Sequence, residues 1–257
     1  MTISKKFDTI QPYQIKKPRQ LLRIATRAGP IPTNYQINRK GVFEIMNEKQ
    51  NIVKAVSISR GNRKMGAIPS VSLPPVVTCA AGCPCAAKCY AVKMCRIYKN
   101  VKGSYDRNLD ILNNDWNEYW RQVREAVKMS RYFRFHVSGD IPNAAYFKEM
   151  VITAKQNPHC EILAFTKCYD IVNAYIDALG ELPANLHVIF SLWDPAWNAN
   201  VKNPHNLPMS AVIFKGTYGG YADNFEKICG GNCFECACRG TGCWTLEKGE
   251  TIAFYEH

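Results

Sequence analysis

The 257-residue sequence has no apolar run approaching the ~18 residues that a membrane-spanning helix requires. Its first twenty residues, MTISKKFDTIQPYQIKKPRQ, lack the apolar stretch of a secretory signal. A chain without either is expected in the cytoplasm, with no membrane partner. No internal repeat is present beyond the rhyme between two cysteine-rich stretches. Nor do the five histidines form a nucleophile–base arrangement: His136 lies in an apolar run and reads as a core side chain, and His257 is the last residue. The histidines therefore support no claim of hydrolase activity. Acidic residues are scarce early on. Residues 1–66 hold 14 Lys/Arg against 3 Asp/Glu, whereas residues 67–257 hold 19 against 18. The formal net charge of +12 therefore sits almost wholly on the N-terminal part. That asymmetry suits a polyanionic partner, most often nucleic acid, or a solvated basic tail. With Pro12, Pro18, Pro30 and Pro32 set among the cations, residues 1–40 read as a basic arm containing one short helix in RQLLRIATRA. Residues 41–257 read as a single α/β domain, long enough to bury its own core; GVFEIMNEKQNIVKAVSIS at its start suits a strand pair or a helix.

Cysteine is plentiful. Nine of twelve fall in two stretches, CAAGCPCAAKCYA at 79–91 and CGGNCFECACRGTGCW at 229–244. In a reducing cytosol such crowding points to metal or catalysis rather than disulfides. Zinc takes four thiolates, usually from two CxxC pairs, and only one such pair occurs, Cys233-Phe-Glu-Cys236. An iron–sulfur cluster is larger and accepts more varied spacing. The candidate ligands are Cys79, Cys83, Cys85 and Cys89, then Cys229, Cys233, Cys236, Cys238 and Cys243, holding one or two 4Fe-4S clusters, with zinc as the alternative. The cluster-binding loops are taken as 79–95 and 229–244. Gly82, Pro84, Gly230, Gly231, Gly240 and Gly242 predict non-helical loops with backbone N–H groups turned to sulfur. Tyr90 and Trp244 follow the last cysteine of each set, as water shields or as ordinary packing. Cys160 opens an apolar run and reads as a small core residue, Cys168 follows a strand end, and Cys95 is a spare ligand or none.

Downstream of residue 70, short apolar runs alternate with amphipathic segments. VSLPPVV is extended, as residues before proline are. Between 105 and 130, Leu109, Leu112, Trp116, Tyr119, Trp120, Val123 and Val127 recur at helical spacing. FRFHVSGDI, EILAFTK, LHVIFSLW and SAVIFKG read as strands. NAAYFKEMVITAKQ is a helix capped by Asn143, and YDIVNAYIDALG is a helix stopped at Gly180. These are βα units on a parallel sheet of five or six strands, either open and doubly wound or curved into an open partial (β/α) barrel. Asp140, Lys167, Trp193, Asp194 and Lys215 all fall at strand ends, and the first cysteine stretch also follows one. Ligands of parallel α/β folds bind at that edge, which favours the partial barrel. Asp140 and Lys167 are the polar side chains expected nearest the site, Asp140 to orient an amine and Lys167 to pair with a carboxylate or phosphate. Structural ion pairs are the plain alternative for both.

The ordered set SRGNRKMG, SVSLPP, the C…C…CYA stretch, FHVSGDI, AFTK and a cysteine-rich end closing in Cys243-Trp244 resembles the phage gene product 88-like family. It covers roughly residues 57–244 and leaves the basic arm outside. Through it the chain is distantly similar to radical S-adenosylmethionine enzymes. In those, a partial (β/α)6 barrel carries a CxxxCxxC loop after its first strand, and the cluster's open iron takes the methionine moiety. The resemblance implies S-adenosylmethionine as a further cofactor and Ser138, Gly139 and Asp140 as its turn, where those enzymes carry Gly-Gly-Glu. The chain departs from the pattern at Cys85-Ala-Ala-Lys-Cys89-Tyr-Ala-Val92, with Val92 in the third cysteine's place. A complete CxxxCxxC occurs only near the other end, as Cys229, Cys233 and Cys236. The expected function is an iron–sulfur protein with a redox or radical-SAM-like role and a redox partner in the cytoplasm of phage-infected cells. The alternative is a zinc-stabilised protein that binds nucleic acid through its basic arm.

Overall fold

The computed structural model describes residues 35–37, 43–45, 55–214 and 225–256. Most of the expected arm, including its short helix, lies outside the described residues, as do Lys215 and His257. The chain divides into two compact units, 1–53 and 54–257. Of the first, the described residues form one antiparallel ladder, β1 (Tyr35–Ile37) against β2 (Phe43–Ile45), with Gln36 opposite Glu44.

In the second unit eight strands share one sheet: β3 (Ile58–Ser59), β4 (Ser70–Val71), β5 (Tyr132–Phe135), β6 (Glu161–Thr166), β7 (Leu186–Ser191), β8 (Met209–Ile213), β9 (Lys227–Ile228) and β10 (Thr251–Tyr255). Their spatial order is β3-β4-β5-β6-β7-β8-β10-β9. β3 pairs antiparallel with β4, and every other neighbouring pair is parallel. Seven helices accompany the sheet among the described residues: α1 (Tyr90–Ile97), α2 (Lys99–Asn114), α3 (Trp116–Lys128), α4 (Ala144–Gln156), α5 (Tyr169–Leu179), α6 (Pro195–Asn198) and α7 (Cys233–Arg239). The mixed α/β class and the mainly parallel sheet agree with the alternation of apolar runs and amphipathic segments.

From β4 to β8 the strands stand in chain order, so successive crossovers step the same way. Right-handed crossovers then put the helices between them on one face. Burial agrees. Phe133, Phe135, Ile162, Ala164, Val188 and Phe190 pack in one core with Val123 of α3, Phe147 and Val151 of α4 and Val172 of α5. Strand side chains alternate, so Leu163, Ile189 and Ile252 point the other way. They form a second core with Ala237, Cys243 and Trp244, against which Tyr132 and Phe165 pack. The C-terminal cysteine stretch thus covers the face that the helices leave open.

Two local features differ from expectation. The helical spacing over 105–130 is interrupted at Asp115, whose carboxylate accepts the Glu118 N–H at 3.1 Å and starts α3 as a separate helix. The cysteine stretches are also not purely loops. Pro84–Lys88 is a 3-10 turn begun by proline. α7 forms because the Asn232 side chain accepts the N–H groups of Phe234 and Glu235, and Gly240, at φ 61°, closes it. Asn143 caps α4 by accepting the Tyr146 N–H at 2.9 Å, and Gly180 ends α5, both as the sequence predicts.

Candidate metal centres

β4 ends at Val71 and leads through Leu73 and Pro74 into the first cysteines, which therefore stand beyond the carboxyl end of a parallel strand. Val76 adopts φ 70°, a conformation that a β-branched residue takes only under constraint. Its N–H donates to Cys79 Sγ at 3.3 Å. The sulfurs of Cys83 and Cys85 are 3.0 Å apart. The hydrogen bond from Cys85 is the main reason the Cys83 thiol is held down to about 6; burial opposes it and the Lys167 charge assists. The same interaction pushes Cys85 up, burial adding to the effect. Burial pushes Cys79 up to about 11 against the Val76 N–H, with Asp140, Cys83 and Cys89 adding to the rise. Cys89 is the N-cap of α1. The four thiols of this set are close enough to feel one another's charge.

The Ser138-Gly139-Asp140 turn joins that loop to the sheet. Asp140 is buried; its Oδ1 accepts the Thr166 hydroxyl at 2.6 Å and the Ile141 N–H at 2.8 Å, and its Oδ2 accepts the Lys167 N–H at 2.8 Å. Burial raises this carboxyl above its ordinary range, and the three donors and the Lys167 charge oppose the rise. Three of about four acceptor sites are thus committed, and two of them, to Thr166 and Lys167, tie the turn after β5 to the end of β6. At Gly139, φ is 77°, and a Cβ would stand 2.5 Å from Thr78 Oγ1 and 2.8 Å from the Leu73 carbonyl oxygen. The Leu73 N–H donates to the Ser138 carbonyl at 3.0 Å. Ser138 Oγ is buried and has no hydrogen-bond partner among the described residues. Lys167 Nζ donates to Ser191 Oγ at 2.8 Å and lies 5.8 Å from the Trp193 ring centre, and its charge acts on Cys83 and Cys85. Tyr169 OH donates to the Ser191 carbonyl and accepts from Trp197 Nε1 at 3.1 Å. Asp194 serves α6 as its cap, accepting the Trp197 N–H at 2.9 Å. Thr78, Thr166, Ser191 and Tyr169 are the neighbours that sequence reasoning missed. Only the position of Thr166 and Ser191 at the last residue of a strand could have signalled two of them.

The second set lies on the sheet face opposite the main helices. Cys229 follows β9; its N–H donates to the Ala253 carbonyl at 2.9 Å, and the Gly231 N–H donates to Cys229 Sγ at 3.4 Å. Cys233 and Cys236 lie on α7, and Cys243 in the 3-10 turn Gly242–Trp244. Burial pushes Cys243 up to about 12, with Cys229, Cys233 and Cys236 adding. A Cβ on Gly242, where φ is 65°, would come 3.3 Å from Cys236 Sγ. Two cations face this set. Arg134, turned to this side by strand alternation, donates from Nη1 to Cys233 Sγ at 3.9 Å. Lys64 is lowered chiefly by burial, against the charges of Cys229 and Cys233. Trp244 is buried, donates from Nε1 to the Cys233 carbonyl at 3.1 Å, and meets the Tyr132 ring at 5.3 Å. Cys238 stands apart. It is exposed, two residues past Cys236, and positions two apart on a helix do not share a face.

The sequence-predicted ligands therefore gather as Cys79, Cys83, Cys85 and Cys89, and as Cys229, Cys233, Cys236 and Cys243. Among the described residues, no three Cys, His, Asp or Glu side chains are arranged around the position of a single metal ion. The donor chemistry nonetheless suits a thiolate-bound group. There are four thiols in each set, backbone N–H donors at Cys79 and Cys229, and Lys167, Lys64 and Arg134 to offset thiolate charge.

A family model described as Gene product 88 matches residues 44–236. That span takes in the first cysteine set, the Ser138–Asp140 turn, Lys167, and Cys229, Cys233 and Cys236 of the second set, and stops short of Cys243. No curated protein and no solved structure matches the chain.

Proposed function

We propose that this chain, which belongs to the gene product 88 family, is an iron–sulfur protein holding two 4Fe-4S clusters, one on each set of four thiols. The observation that carries the reading is the gathering of eight cysteines into two fours, one beyond the carboxyl end of β4 beside Lys167 and one on the sheet face opposite the main helices beside Arg134 and Lys64, with Cys238 left out. A single tetrahedral zinc needs its four sulfurs about 3.8 Å apart, given metal–sulfur bonds near 2.3 Å. A cluster of four irons takes thiolates that stand farther apart, so the Cys83 and Cys85 sulfurs, 3.0 Å apart here, would separate on binding either group.

The first set sits at the carboxyl edge of the sheet and is the reactive one in this account. A 4Fe-4S group there supplies one-electron chemistry. Val76 turns an N–H to sulfur, Lys167 offsets thiolate charge, and Tyr169 and Trp197 form a hydrogen-bonded aromatic wall near it. Ser138 Oγ, which has no hydrogen-bond partner among the described residues, is the group left for a ligand. The chain-ordered strands β4 to β8 support an open partial barrel of the radical-SAM kind. Four thiolates on one cluster leave no open iron, however, so electron transfer to a redox partner in the cytoplasm of an infected cell is the role the residues favour. Zinc in the same cysteines is the second reading, favoured only by the Cys233-x-x-Cys236 pair.

Protein purified without oxygen should contain about eight irons and eight sulfides per chain, with a broad absorption band that bleaches on reduction. Zinc without sulfide would overturn the reading. Adding S-adenosylmethionine to the reduced protein should leave its electron paramagnetic resonance spectrum unchanged; a shifted spectrum would replace electron transfer with radical chemistry.

A further inference from the structure

Residues 49–105 contain no Asp or Glu and ten Lys or Arg. Five of the ten, Lys88, Lys93, Arg96, Lys99 and Lys102, lie on or beside α1 and the first turn of α2. α1 buries Ala91 and Cys95, so Lys93, Arg96 and Ile97, spaced three and four apart, share its exposed side. α2 buries Asn108, Ile111 and Leu112 and turns Lys99 and Lys102 outward. Two of the five cations are offset within the protein, Lys102 by Asp106 and Lys88 by Glu256. Lys93, Arg96 and Lys99 are exposed and have no carboxylate partner among the described residues. Between them, at the break between the helices, Tyr98 is 51% exposed beside Ile97 at 54%.

We infer that this outward face of α1 and α2 binds single-stranded nucleic acid, with Lys93, Arg96 and Lys99 on phosphates and Tyr98 stacked on a base. Unpaired cations rimming an exposed aromatic ring are what a sequence-tolerant single-strand site requires, since phosphates supply the charge and every base has a face to stack. A duplex keeps its bases inside and leaves Tyr98 nothing to stack on. A membrane surface would call for a longer apolar stripe than Ile97 and Tyr98 supply. α1 begins directly after Cys89, so the bound strand would pass beside the first cysteine set. The inference does not depend on which metal, if any, that set holds.

The test is fluorescence anisotropy of the full chain with a labelled 20-nucleotide oligothymidine across a range of salt. The neutral triple variant Lys93→Gln/Arg96→Gln/Lys99→Gln should weaken binding at least about tenfold and lower the log–log salt slope by about 2, as expected for three lost single-strand phosphate contacts. Tyr98→Ala should weaken it about 5- to 150-fold with the slope unchanged, the range that loss of one stacked base implies. A matched arm variant, Lys16→Gln/Lys17→Gln/Arg19→Gln, should have the smaller effect. Native-like binding by the first triple, full binding by Tyr98→Ala, or equal affinity for duplex or polyglutamate would each overturn the inference. Unchanged melting temperatures show that the variants fold. Metal content is read separately, so a zinc-loaded chain that still binds the oligonucleotide would refute the iron–sulfur proposal and support this one.

Discussion

Replacing Gly139 by alanine strikes the point where the Ser138–Asp140 turn touches the loop that carries the first cysteines. Two costs add there. The backbone stands at φ 77°, and a side chain in the left-handed region costs about 1–2 kcal/mol. The new methyl would also stand 2.5 Å from Thr78 Oγ1, 2.8 Å from the Leu73 carbonyl oxygen and 2.9 Å from Leu73 Cβ. The carbonyl is backbone and cannot rotate away, so relief requires shifting the chain between Leu73 and Thr78. Overpacking of that kind costs about 1–3 kcal/mol, for a total of about 2–5 kcal/mol. Gly240→Ala is the control, left-handed with φ at 61° and ψ at 52° and with nothing within 4 Å of the added atom, so it incurs only the backbone cost. Urea titrations at pH 7 should place the Gly139 variant below the Gly240 variant by about 1–3 kcal/mol at similar slope, and iron should be lost only from the first. Equal midpoints for the two variants would refute the close approach of turn and cysteine loop.

Other consequences are checked as directly. His136 is buried with φ 61°, and burial holds its imidazole neutral down to about 3. Below the ordinary value of 6.5 only the unfolded chain takes up that proton, so stability is lost as pH falls toward 3, by about 2 kcal/mol between pH 6.5 and 5. His136→Asn tolerates the backbone and removes this contribution, so urea midpoints at pH 7 and pH 5 should differ less in the variant than in the native chain. Asp140→Asn turns an amide N–H₂ toward groups that already donate, and should cost about 1–3 kcal/mol in the same assay. Cys238→Ser should leave iron content unchanged, whereas Cys243→Ser should lower it.

Much of the sheet was legible because β5 to β8 and helices α4 and α5 each declare themselves locally, through apolar runs, the Asn143 cap and the Gly180 stop. Asp140 and Lys167 were legible for the same reason, as polar residues closing such runs. β3 and β9 were not, since two-residue strands have no periodicity and exist only through their neighbours. α7 was hidden because Gly230, Gly231, Gly240 and Gly242 make the stretch read as loop, while the decisive signal is the single cap at Asn232. Arg134 sits inside FRFHVS and reads as an interruption of a core strand. Only the alternation of β5, and the insertion of β10 between β8 and β9, bring it against Cys233. The two groups of cysteines were legible as two local stretches; the exclusion of Cys238 was not, because it depends on the phase of α7, the helix that the glycines hide.

The central claim, that each set of four thiols holds its own cluster, is tested most directly by counting irons in three anaerobically prepared proteins with Mössbauer spectra alongside. These are the native chain, the variant with Cys79, Cys83, Cys85 and Cys89 changed to serine, and the variant with Cys229, Cys233, Cys236 and Cys243 changed to serine. The account predicts about eight irons in the first and about four in each of the others, with two distinguishable cluster signatures. Loss of all iron from both variants would mean one cluster shared between the sets, and absence of iron from the native chain would contradict the account outright.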